Sequence, residues 1–231
     1  MSSVSRRAVF SFAVAFLLAV AVPGDVQGTH SDGSYDIPVW FKWNKRVLDV
    51  LIIPPNRGTL TSLEEDYMAA IWDSVTQWQN AINKYSPALA NAVRINLYVL
   101  GQGTTPTDPE IVITADASKG TMLGVAVRVT DGKCVVDNSR LFVTPLSYRD
   151  MYNVNGQEYG HCLGLDHVGG DHPSRDIMNG NYPYAVGGQN PFQCISNLDV
   201  RGLEKVFGLT SGTSASISAS SYQGIPAGCG N

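Results

Sequence analysis

The chain predicts a single α/β (α+β) domain, and three observations carry that expectation. The run VLDVLII at Val47–Ile53, closed by Pro54-Pro55, has the length and β-branched content of a buried strand. A capping box at Thr61-Ser62-Leu63-Glu64 opens a long segment with apolar residues at helical spacing. Several short strands and two further helical stretches follow, so the order is strand, helix, strands, helix, irregular segment, helix. With 231 residues, 44% hydrophobic and 16% charged, the composition suits one domain with a proper core.

The N-terminus reads as a targeting segment. Arg6 and Arg7 form a positive region, residues 8–22 are apolar, and Pro23, Gly24 and small residues near Val26 and Gly28 suit cleavage. The apolar run is shorter than the roughly 20 residues that a membrane span needs. Ser5-Arg6-Arg7 also resembles a twin-arginine signal, on the weak basis of one pair. Residues 1–28 are therefore expected to be a secretory signal peptide, and the mature protein to be secreted and extracellular. Residues 29–208 form the expected domain, and residues 209–231 a Ser/Gly-rich, flexible C-terminal tail that Cys229 would pin.

Within the domain, Met68, Ile71, Val75, Trp78 and Ile82 mark a helix ending near Tyr85, before Pro87, and its tryptophans are expected in the core. Residues 93–100 alternate as a strand, and residues 110–114 are short and β-branched. Residues 124–136 read as a hairpin turning at Asp131-Gly132. Residues 141–144 are a further candidate strand, residues 149–163 a second helix, and residues 198–207 a last helix, capped by Ser196 or Asn197 and stopped by Gly208.

The four cysteines, Cys134, Cys162, Cys194 and Cys229, allow two disulfides in an exported chain, with three connectivities open. None forms a CxxC pair. A net charge of −4 gives no electrostatic footprint for nucleic acid or for an anionic membrane.

Chemistry concentrates in residues 157–167, QEYGHCLGLDH. On a helix, Gln157 and His161 share a face one turn apart, with Glu158 beside them. Gly164 suits a left-handed helix end, after which the chain doubles back and brings His167 to the same place. Three protein ligands and an open position are what catalytic zinc requires.

These residues resemble the metzincin pattern H-E-x-x-H-x-x-G-x-x-H with its following Met-turn, here Q-E-x-x-H-x-x-G-x-x-H and then Asp176-Ile177-Met178-Asn179. The spacing to Met178, Trp43-Asn44-Lys45, the helix bearing Trp72 and Trp78, and the closing LDVRGL at residues 198–203 look most like the matrixin branch. The resemblance covers roughly residues 40–208. It implies a zincin-like domain with a twisted, mostly parallel sheet and an antiparallel edge strand within residues 124–129 that pairs with an extended peptide. It further implies one catalytic Zn2+ held by His161, His167 and Gln157, with Glu158 as general base and Met178 as the Met-turn residue. Tyr182 and Tyr184 would wall a side-chain pocket. The expected activity is metalloendopeptidase, the partner a protein or peptide substrate, and the chain a monomer. Matrixins often bind Ca2+, but no clear calcium loop is present. Too few residues precede the first strand for a latency propeptide, and no cysteine precedes Cys134.

Gln157 stands where that family has a histidine. Three readings follow: Gln157 ligates zinc through its amide oxygen; His172, Asp166, Asp171 or water completes the set; or the site is degenerate and the protein binds partners in its cleft without cleaving them. A copper site with His30 as the first mature residue is a fourth, remote reading.

Overall fold

The computed structural model describes residues 33–55, 59–114, 124–129, 132–138, 146–168, 175–180 and 190–225. The signal segment, His30, residues 141–144, Asp131, Asp171, His172, Tyr182, Tyr184 and Cys229 lie outside the described residues.

The first strand, β1 (Ser34–Pro38), precedes β2 (Val47–Ile53), whose apolar run is buried in the middle of a sheet. Helix α1 (Ser62–Tyr85) follows its capping box: the Thr61 hydroxyl accepts from the Glu64 N–H, and the Glu64 carboxylate accepts from the Thr61 N–H at 2.7 Å. Ile71, Val75, Trp78 and Ile82 are buried as the periodicity requires. Trp72 is not, at 42% exposed. It lies one residue past Ile71, about 100° round the helix, and so falls off the buried stripe. A short second helix, α2 (Pro87–Ala92), starts where the sequence suggested only a stop. Ser86 caps it and Pro87 occupies its first turn, where a missing N–H costs nothing.

Strands β3 (Arg94–Val99), β4 (Ile111–Thr114), β5 (Val125–Arg128) and β6 (Cys134–Asp137) complete a five-stranded sheet of order β3-β2-β4-β6-β5. Neighbours are parallel except for β5, which runs antiparallel to β6 at the edge. The β5–β6 hairpin closes with the Val129 N–H donating to the Lys133 carbonyl at 2.9 Å, and Gly132 takes φ 75°. This mixed α/β arrangement, with the edge strand inside residues 124–129, matches the expectation.

Helix α3 (Tyr148–Cys162) is polar in sequence yet mostly buried. Part of its polar content is satisfied internally: Asn155 donates to the Ser74 hydroxyl at 2.7 Å and accepts from Asn138 at 2.7 Å. Small residues let it lie against α1 and the 175–180 segment. A Cβ on Gly156 would sit 2.6 Å from Ile177, and Trp78 donates its indole N–H to the Gly156 carbonyl at 2.9 Å. A disulfide, Cys134–Cys162, ties the last residue of α3 to the start of β6. Among the described residues no cysteine is free, and Cys194 is disulfide-bonded as well.

After the two-residue strand β7 (Ile195–Ser196), helix α4 (Asn197–Val206) is capped by Ser196 and followed by Gly208 at φ 64°. The expected flexible tail is corrected. Strand β8 (Ser214–Ser218) pairs antiparallel with β1, and β9 (Gly224–Ile225) pairs with β7. Ala215 and Ile217 alternate inward and Tyr222 is buried. The alternation in SASIS uses residues so small that it reads as low complexity. Among the described residues no helix is long and apolar enough to cross a membrane.

Candidate metal centre

Helix α3 is capped by Leu163 and followed by Gly164, which takes φ 110°. A Cβ there would stand 2.7 Å from the Phe41 carbonyl oxygen, so only glycine fits both the angle and the space. The Gly164 carbonyl accepts from the N–H groups of Trp40 at 2.8 Å and Phe41 at 3.3 Å. The chain then reverses, and the Nε2 atoms of His161 and His167 converge to 3.0 Å with the rings nearly perpendicular, at 83°.

The tautomer of His161 follows from its other nitrogen. Nδ1 lies 2.9 Å from the Leu165 carbonyl oxygen, which only accepts, so Nδ1 carries the proton and Nε2 presents a lone pair to His167. Burial, with His167 close by, pushes His161 down to about 4, and burial also lowers His167. Both rings are therefore neutral near pH 7, the form a metal requires. The His167 ring rests on Gly180, where a Cβ would come within 2.8 Å of its Cγ.

Glu158 is half-buried beside this pair, and burial pushes its carboxyl up to about 7. The Ala126 N–H of the edge strand donates to it and opposes that rise. Gly124 gives the room: a Cβ there would stand 3.0 Å from the Glu158 side chain and 2.6 Å from Val154. Gln157, 9% exposed, lies one turn before His161 on α3.

Met178 is fully buried beneath the helix. A Cβ on Gly160 would stand 2.4 Å from its sulfur and 2.7 Å from the Trp78 ring, so the helix touches the Met178 segment through a bare backbone. The Met178 carbonyl accepts from the Val168 N–H at 2.9 Å, which joins this segment to the stretch of chain carrying His167. The Met178 N–H donates to Asp176 at 2.9 Å.

Among the described residues no group of three or more His, Cys, Asp and Glu side chains forms a metal cage, whether for zinc or for calcium. Asp166 is exposed, and its carboxylate accepts from the His167 N–H at 2.8 Å. The two converging histidines do fit a metal. Two nitrogen ligands at about 2.0–2.1 Å in a tetrahedral site stand roughly 3.3 Å apart, close to the observed 3.0 Å. Lone pairs at that distance repel unless a cation or a proton lies between them. Two imidazoles with one amide oxygen from Gln157 would be a zinc set with one weak member.

Sequence reasoning did not single out Trp40, Gly180 or the Ala126 N–H. The first has no motif around it, and the other two act through backbone or through an absent side chain. No family model and no curated protein sequence matches the chain.

Proposed function

We propose that the protein is a secreted, zinc-dependent metalloendopeptidase of the matrixin-like metzincin type. The convergence of His161 and His167, with the half-buried Glu158 one turn before His161 on α3 and bonded to the edge strand, carries the reading. His161, His167 and Gln157 would hold the ion, and Met178 would be the Met-turn residue beneath it. When bound, zinc supplies a Lewis acid that polarises a peptide carbonyl and acidifies a water.

The chain's own residues do the rest. An extended peptide lies along β5, whose Val127 is 45% exposed, and pairs with its backbone. The Glu158 carboxylate takes a proton from the attacking water and later gives it to the leaving amine nitrogen. A carboxylate beside a metal-bound water is the usual group for both tasks. The Ala126 N–H holds that carboxylate against the strand that carries the substrate. The secretory reading rests on residues 1–28.

Cleavage of a mixed peptide pool by the zinc-loaded protein, lost in Glu158→Ala with peptide binding retained, is the expected result. Equal cleavage by the variant would remove Glu158 from the mechanism. The absence of a third histidine supports a second reading, a non-catalytic binder using the same cleft. That reading predicts peptide binding without cleavage by either protein.

A further inference from the structure

We infer that Trp40 is a specificity-determining platform that takes a ring-bearing side chain, aromatic or proline, of a peptide bound beside the two histidines; this rests on the peptidase reading above. Its neighbours Ile37, Phe41 and Trp43 are buried, whereas Trp40 is 42% exposed. Single exposed apolar residues are common on proteins. The position of this one is what matters. Its indole meets the His161 ring edge-on at 6.2 Å and the Phe41 ring at 5.3 Å.

The backbone here is clamped from two sides. Val39 donates to the Thr213 carbonyl at 2.7 Å and forms a bridge with Leu165, and Trp40 donates to the Gly164 carbonyl at 2.8 Å. The indole is thus presented at a defined place at little entropic cost, which is how rigid aromatic anchors act in recognition. The edge strand leads toward it. Arg128, the last residue of β5, places its guanidinium 4.3 Å above the ring of Phe41, the residue bonded to Trp40. A peptide that follows β5 past the histidines therefore has Trp40 within reach. A flat aromatic face stacks on rings better than on small or acidic side chains.

The test uses the zinc-loaded Glu158→Gln protein, so that nothing is cleaved, and an alanine-rich fluorescent peptide in which one Phe is moved position by position. One position should bind about tenfold tighter than the all-alanine parent, equivalent to about 1.4 kcal/mol and at the upper end for an aromatic pair. That preference should vanish in Trp40→Ala and be retained in Trp72→Ala, whose indole is equally exposed but lies on α1. Trp40→Leu keeps apolar packing on Phe41 while removing the flat face, and it should lose the preference too. Retention of the preference in either Trp40 variant overturns the inference while leaving the peptidase reading intact. Failure of every peptide to bind the Trp40 protein overturns both.

Discussion

The Nε2 atoms of His161 and His167 stand 3.0 Å apart, although one residue ends a helix and the other follows a reversal of the chain. Two neutral imidazoles at that distance share a proton in a hydrogen bond or, on the proposed zinc reading, hold a cation in its place. Added zinc should therefore raise the melting temperature, by an amount that follows RT ln(1 + [L]/Kd). His161→Ala and His167→Ala should each abolish the shift, as read by differential scanning fluorimetry. A shift that survives in both would place the zinc elsewhere.

Gly160→Ala tests the contact beneath the helix. The added methyl collides with Met178 and Trp78, and overpacking of this kind costs roughly 1–3 kcal/mol. Urea melts should show that loss. Met178→Ala alone should cost about 2–5 kcal/mol, and the double variant less than the sum, because the new methyl fills part of the cavity.

Asp176 and Asp199 are both buried and share Ser196; burial is the largest cause of the rise in each, Asp176 is pushed up to about 6, and its charge raises Asp199 further. A carboxyl raised on folding favours the fold most below its unfolded value near 3.8, and that advantage is lost as pH rises through about 6. The pair therefore removes stability as pH rises from acid toward neutral. Asp199→Asn keeps an oxygen for the Ser196 N–H, a 2.7 Å bond, and removes one charge. Denaturation against pH should show a flatter profile for this variant, with a gain over the parent at pH 8 and little at pH 4.

The Cys134–Cys162 bridge closes a loop with a sequence separation of 28 and anchors the residue after His161. Cys134→Ser with Cys162→Ser should cost about 3–4 kcal/mol by chain entropy. Zinc affinity, read by chelator competition, should fall with it, since the end of α3 loses its covalent tie to the sheet.

Much of this was legible in the sequence where local chemistry decides. The Thr61 capping box, the Asp131-Gly132 hairpin and the Gly164 helix end are short-range signals, and the described parts of each formed as expected. The run of histidines and Gly164 was likewise readable, because helix geometry places them without knowledge of the rest. What escaped depends on distant partners. The 214–218 strand exists because β1 offers it an edge, and its small residues hide the alternation. Trp72 is exposed because the buried stripe is narrower than the helix is apolar. Trp40 gains its place only when Gly164 brings the N-terminal segment against His161.

The most direct test is bound metal per chain, measured by mass spectrometry on protein purified without chelator, with Gln157→His alongside. Near-stoichiometric zinc in the natural protein, held more tightly in the variant, is the predicted result. Zinc in the variant but none in the natural protein would contradict the account and leave the non-catalytic binder in its place.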